Sequence, residues 1–181
     1  DIRWLYEACT HRSAKYSFGS TSSSLKHCVD FERLECIGDS VVGLSISDIL
    51  SRGNGRFGQH ELTTFRARFV SSAGLAAVSS EFEVFKCILL GSQEKVLRLQ
   101  DTDKLRGDHL EAVIGAMFCD QGYDQTLPVI QTLFTAPVEK FFSDVKEYEP
   151  IVDIKNQLQE ITQSRYRETP KYITTDRSGP D

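Results

Sequence analysis

The sequence lacks the features that mark several large classes of protein. It has no long uncharged apolar run and no recognisable signal peptide, so we expect no membrane partner. Its five cysteines are odd in number and include no CxxC pair, which argues against a disulfide framework or a cysteine zinc site. Acidic residues outnumber basic ones, 26 to 21, so bulk charge gives no indication of nucleic-acid binding. We therefore expect reduced thiols and a cytoplasmic or nuclear location.

What the sequence does contain is helical periodicity over most of its length. With 181 residues, 40% of them hydrophobic, it can form one well-buried domain and part of a second. No alternating pattern typical of a strand occurs before residue 150, so residues 1–148 are predicted to form an all-α domain. The predicted helices cover residues 2–10, 31–50, 61–79 with a break near Gly74, 102–120, and 125–147, where two prolines allow one bent helix or two short ones. A Gly- and Ser-rich loop is predicted at 16–27.

A domain boundary is predicted at Glu149 and Pro150. Beyond it, residues 152–163 are predicted to be helical and residues 170–176 to form a strand. One helix and one strand bury too little surface to fold alone. We therefore interpret residues 149–181 as a linker and the truncated start of a second, α/β domain.

Acidic residues form a stripe on the predicted helix 31–50. Glu32, Glu35 and Asp39 are three and four residues apart, so their side chains lie on one face. Further along, the same helix is apolar all round, as expected of a buried helix. Like charges beside a buried helix repel one another unless a cation lies among them. This conflict is typical of a functional site.

The predicted helix 102–120 carries a second pair of acids, Asp108 and Glu111. Placed against Glu35 and Asp39, they would form a site of four carboxylates without histidine. Such an all-oxygen set suits Mg²⁺ or Mn²⁺ and disfavours zinc. The alternative interpretation is that all four are solvated surface charges, which is common for acids at this spacing.

Several segments resemble the ribonuclease III family. Residues 32–40, ERLECIGDS, closely resemble its signature, usually ERLEFLGDA. Residues 107–122, GDHLEAVIGAMFCDQG, resemble its second motif, of the type ADxxEAxxGAxxxDxG. The THRS at 10–13 and the segment 62–71 are similar to the family's flanking motifs. Residues 153–175 resemble the first helix and strand of a double-stranded-RNA-binding domain.

The resemblance implies a helical endonuclease fold and a Mg²⁺-dependent homodimeric endoribonuclease in RNA processing or silencing. Such enzymes leave a 5′-phosphate and a 3′-hydroxyl. Matched residue by residue, Glu35, Asp39, Asp108 and Glu111 would be the catalytic metal ligands. Glu32 would lie at the edge of the catalytic valley, contacting RNA or bracing the dimer. The RNA would be double-stranded by resemblance.

Three departures from the family pattern surround these acids. Cys36 stands where a phenylalanine usually packs into the partner subunit, so it either loosens the dimer contact or forms an intersubunit disulfide. Phe31 replaces an asparagine, which could alter the approach of RNA. Gln59 replaces an acid that would assist the metal site, and it is expected near RNA or the dimer contact. These changes leave single-stranded RNA open as a substrate.

The remaining expectations concern histidines and the competing function. His109 is predicted to be an exposed helix residue without a catalytic role. His11 and Arg12 are predicted to brace the fold rather than to contact RNA. The alternative to an enzyme is a non-catalytic RNA-binding or scaffold dimer. Retention of all four inner acids argues against it, because degenerate relatives usually lose one of them.

Overall fold

The structure, a computed structural model, describes residues 1–14, 30–54, 57–144, 154–168 and 170. Most of these residues are helical, and apart from one parallel bridge between Thr10 and Leu89 they contain no strand pairing. The helices are α1 (Ile2–Cys9), α2 (Glu32–Asn54), α3 (Gln59–Phe69), α4 (Ser72–Glu81), α5 (Ser92–Val96), α6 (Asp103–Gln121), α7 (Tyr123–Asp144) and α8 (Ile154–Tyr166), with short 3₁₀ turns at Val84–Cys87 and Leu99–Asp101. None of the described helices is both long and apolar enough to cross a bilayer.

The chain divides into two units, Asp1–Phe141 and Phe142–Asp181. The first contains all the residues of the acidic site. The second includes α8, where a helix was predicted. The predicted loop at 16–27 lies outside the described residues. So does the predicted strand 170–176, except for Pro170 itself, and the start of a second domain therefore stays a prediction.

Two glycines set the distance between α2 and α6, the pair of helices with the most extensive contact. A Cβ added at Gly38 would lie 1.8 Å from the backbone oxygen of Glu111, and one at Gly115 would lie 2.1 Å from that of Leu34. Only glycine permits backbones to approach this closely. The crossing therefore holds the acidic parts of the two helices against each other.

The core beneath this crossing is formed by one face of α6. Leu105, Ala112 and Ala116 recur at helical spacing and pack against Leu34 of α2 and Ala8 of α1. The N-terminus of α6 is capped by the Thr102 hydroxyl, which accepts from the Leu105 N–H. Cap and core together fix the register of the helix that carries two of the acids.

Other details differ from the predictions. The segment after Glu61 breaks at Val70 and Ser71 rather than at Gly74, because the Ser71 hydroxyl caps α4 by accepting from the Gly74 N–H at 3.1 Å. Residues 123–144 form one helix that contains both prolines, which selects the single-helix alternative. The expectation that α2 is buried all round is wrong at Leu44, whose exposed fraction is 59% in the single chain.

Candidate metal centre

Three of the four predicted ligands come together between α2 and α6. Glu35, Asp108 and Glu111 each offer a carboxylate oxygen within 4.8 Å of the others. Glu111 is buried, with 8% exposure, whereas Glu35 and Asp108 are half-buried. Asp39, one turn beyond Glu35, is exposed and lies outside this group of three. Its charge nevertheless acts on both glutamates.

The charges within this cluster are electrostatically costly without a cation. Burial, followed by the charges of Asp39, Asp108 and Glu35, raises the pKa of Glu111 to about 8. Burial and then the charge of Asp108 raise the pKa of Glu35 as well. A group of carboxylate oxygens that repel one another fits a hard divalent cation, because the positive charge of the ion would favour the ionised carboxylates.

A lysine that the sequence analysis did not single out lies beside the cluster. Lys104 Nζ donates to Asp108 Oδ2 at 2.7 Å, from one turn earlier on α6. This hydrogen bond and the charge of Asp108 raise the pKa of the lysine. The signal in the sequence was the four-residue spacing between lysine and aspartate. Lys104 thus supplies a positive charge at the mouth of the acidic site.

The two outer predicted positions differ in their surroundings. Glu32 is exposed at the N-terminus of α2, with Arg12 Nη1 3.4 Å from its Oε1. Gln59 begins α3 with an exposed side chain. The nearby acid Glu61 does not replace the missing charge, because it accepts from the Gly58 N–H at 2.6 Å as part of a helix cap.

The prediction that His109 is exposed is wrong. Its exposure is 0%, and neither ring nitrogen has a hydrogen-bond partner among the described residues. It lies four residues after Leu105 and three before Ala112, on the core face of α6, and its ring centroid is 6.3 Å from that of Phe31. Burial lowers its pKa to about 4, so the ring is neutral. Phe31 is itself only 3% exposed and forms part of the core.

An open cleft of about 450 Å³ extends from the acidic cluster along the ends of α2 and α6. Glu35, Asp108 and Lys104 line it where the cluster lies, and His11 and Arg12 from the segment after α1 line it as well. The three converging carboxylates, the two cations Arg12 and Lys104, and an open approach form an arrangement that can hold a metal ion beside a phosphorylated ligand.

A family model described as Ribonuclease-III-like matches residues 1–138. The chain belongs to the ribonuclease III family of endoribonucleases. It is 36% identical to Ribonuclease 3 of Streptomyces coelicolor over 177 residues, which cover 98% of this chain and 60% of that relative. It is 33% identical to Ribonuclease 3 of Natranaerobius thermophilus over 182 residues, covering 100% of this chain and 74% of the relative.

Solved structures agree with membership of the ribonuclease III family. The nuclease domain of ribonuclease III from Campylobacter jejuni matches with a TM-score of 0.64 and 25% identity, covering 74% of this chain and 85% of that one. A region of that domain is involved in dimer formation. Dicer from Pichia stipitis shares the fold, with a TM-score of 0.54 and 22% identity over 81% of this chain and 68% of that one. The predicted all-α endonuclease fold is thus confirmed.

Proposed function

We propose that this chain is a divalent-metal-dependent endoribonuclease that hydrolyses RNA to 5′-phosphate and 3′-hydroxyl ends. The observation that carries the proposal is the convergence of Glu35, Asp108 and Glu111 at the crossing of α2 and α6. Mg²⁺ is the proposed ion, with Mn²⁺ as a substitute, because the donors are all carboxylates.

Each acid has a distinct place in the proposed site. Glu35, Asp108 and Glu111 would hold the ion directly, and Asp39 would complete the set by turning its exposed side chain inward. When bound, Mg²⁺ lowers the pKa of a coordinated water and polarises a phosphodiester. The buried Glu111 gives the site a fixed inner wall, since its backbone lies against Gly38. Lys104 at the mouth attracts the phosphate.

We propose that the active form is a homodimer joined along α2. Cys36, Ser40 and Leu44 are exposed and follow one another at four-residue steps, so they lie on one face of the helix. An exposed leucine and a small thiol on the same face of a helix are suited to an isologous apolar contact with a second copy. Cys36 would contribute a small apolar surface there, with Glu32 and Gln59 left to contact RNA or brace the dimer.

The RNA partner is proposed to be double-stranded by resemblance, with single-stranded RNA as the alternative. Helix α8, Ile154–Tyr166, lies within residues 149–181, which we propose to be the start of a double-stranded-RNA-binding domain on the strength of the sequence resemblance. Such modules contact phosphates and 2′-hydroxyls and recognise shape rather than sequence.

A cleavage assay tests the proposal. End-labelled single- and double-stranded RNA of the same sequence are incubated with protein in Mg²⁺ or in EDTA. The Asp39→Ala and Glu111→Ala double variant should give no product, and Glu81→Gln, an exposed acid on α4, should cleave like the wild type. Mg²⁺-dependent products from one RNA form identify the substrate. Binding of RNA without cleavage of either form would favour the scaffold alternative.

A further inference from the structure

The imidazole of His11 is held in one orientation and one tautomer. The Ser13 N–H donates to His11 Nδ1 at 3.2 Å, and the Ser13 hydroxyl lies 2.8 Å from the same nitrogen. That hydroxyl also accepts from the Gly91 N–H at 2.9 Å. Because a backbone N–H can only donate, Nδ1 must be an unprotonated acceptor. The neutral ring therefore carries its proton on Nε2.

The surroundings of His11 fix the ring in place before any ligand binds. The His11 N–H donates to the Leu89 carbonyl at 3.1 Å, which ties this segment to the one that ends at Gly91. A Cβ at Gly91 would lie 2.8 Å from the Ser13 carbonyl oxygen, so glycine is needed for this approach. The ring also lies 5.7 Å from the buried Phe31 ring. A donor fixed in this way costs little entropy to use.

The proton on His11 Nε2 has no acceptor among the described residues, and the ring lines the cleft that contains the acidic cluster. Arg12 and Lys104 line the same cleft, and Leu99 and Leu105 add apolar surface to it. Its volume, about 450 Å³, is within the ~300–1,000 Å³ of small-ligand sites. A neutral donor, two cations and apolar side chains in one cleft suit a ligand with anionic oxygens and a flat or cyclic body.

We propose that this cleft binds a nucleotide of the RNA next to the one that is cleaved, and that His11 Nε2–H donates to an oxygen of its phosphate–ribose backbone. The proposal rests on the proposed function, because the acidic cluster at the end of the same cleft defines where cleavage occurs. It also gives His11 two separate tasks. Nδ1 accepts a hydrogen bond from Ser13 within the fold, and Nε2 binds RNA, which departs from the sequence prediction that His11 braces the fold rather than contacts RNA.

Two substitutions separate these tasks. In His11→Asn the amide oxygen takes the place of Nδ1 and keeps the hydrogen bond from Ser13, but nothing replaces Nε2. In His11→Gln the amide nitrogen reaches the place of Nε2 and keeps the donor. We expect His11→Asn to raise the Kd for labelled RNA duplex in EDTA and the KM in Mg²⁺ about tenfold, with kcat unchanged. His11→Gln should return both to within about threefold of wild type.

The salt dependence gives a second signature. Since the His11 ring is neutral, its replacement by Asn should leave the slope of log Kd against log salt unchanged. Arg12→Gln, from the same cleft, should reduce that slope by about 1. A merely bracing histidine would show neither the KM effect at constant kcat nor the recovery with Gln.

The outcomes are distinguishable. Wild-type Kd and KM in His11→Asn would overturn the inference, and so would equal losses in both variants accompanied by lower melting temperatures. Failure of the proposed function appears instead as absence of Mg²⁺-dependent product from the wild type, while the contrast between Asn and Gln is still measured in EDTA. Absence of RNA binding by the wild type would overturn both proposals.

Discussion

Substituting Gly38 by alanine should separate the two helices that form the metal centre. The new Cβ would lie 1.8 Å from the Glu111 carbonyl oxygen and 2.5 Å from its carbon, whereas ordinary contact begins at 3.4 Å. The atoms that it meets are backbone, so neither can rotate away. To restore ordinary contact between the new Cβ and the Glu111 oxygen, α2 and α6 must move apart by about 1.6 Å at this point, because a packed interior leaves no other space for the methyl group.

The expected cost follows from overpacking. Forcing a methyl group into a packed contact costs typically ~1–3 kcal/mol and occasionally more, against a gain of up to ~1 kcal/mol in helix propensity from Gly to Ala. We expect the free energy of unfolding of Gly38→Ala to fall by about 2 kcal/mol, measured by urea unfolding. Because the displaced backbone is that of Glu111, cleavage by the folded fraction should fall by about a hundredfold.

Gly43 provides the matched control on the same helix. A Cβ there meets nothing within 4 Å in the chain, so Gly43→Ala should gain up to ~1 kcal/mol of stability. If Gly38→Ala proved as stable as Gly43→Ala and cleaved RNA like the wild type, the close crossing would not be what positions the acids.

Three further predictions concern His109, Glu111 and the exposed face of α2. His109→Leu should raise the free energy of unfolding by about 1–3 kcal/mol in urea, because two unpartnered ring nitrogens leave the core. In EDTA this gain should grow as pH falls from 6.5 toward about 4, because His109 binds a proton in the unfolded wild type but stays neutral in the folded protein. A gain independent of pH would contradict the lowered pKa of His109. With a pKa of about 8, Glu111 must lose its proton to bind Mg²⁺. Calorimetry near pH 7 should therefore detect proton release, and the affinity for Mg²⁺ should rise with pH until about 8. An affinity that does not change with pH would refute this. Leu44→Glu should weaken dimerisation about a hundredfold or more in sedimentation, while Leu5→Glu, on the exposed face of α1, should not; equal effects would argue against the α2 contact.

The main helices could be predicted from the sequence because their periodicity is long and strong. Helix α6 begins and ends within one residue of the predicted 102–120, since Thr102 caps it and Gly122 follows with a φ of 79°. The break after α3 was predicted near Gly74 because glycine commonly interrupts helices. The actual break depends instead on the Ser71 cap, which the helical periodicity does not reveal. In fact Gly74 is inside α4, where a Cβ would lie 2.5 Å from the Arg68 carbonyl oxygen.

The site was only partly predictable, for reasons that differ between residues. Spacing placed the predicted acids on one face of each of two helices, but which carboxylates converge depends on side-chain rotamers, and Asp39 is exposed outside the group of three. The burial of His109 could not be deduced because α6 is buried on most sides, which leaves no polar face to orient a single histidine.

The closeness of α2 and α6 was also beyond prediction. A glycine within a helix can be recognised as a close-contact position only when the helix packed against it is known. The sequence does not identify Gly115 as the counterpart of Gly38. The double role of His11 likewise depends on Ser13 and Gly91 meeting across 78 positions of the sequence.

The most direct test of the central claim is the affinity of the protein for Mg²⁺, measured by calorimetry without RNA. Glu111→Gln should raise the Kd for Mg²⁺ by about tenfold or more, because it removes the buried carboxyl group that ionises when the ion binds. Glu61→Gln, which keeps its helix cap on Gly58 and lies outside the cluster, should bind Mg²⁺ as the wild type does. Equal Mg²⁺ affinity in Glu111→Gln and the wild type would contradict a metal centre between α2 and α6.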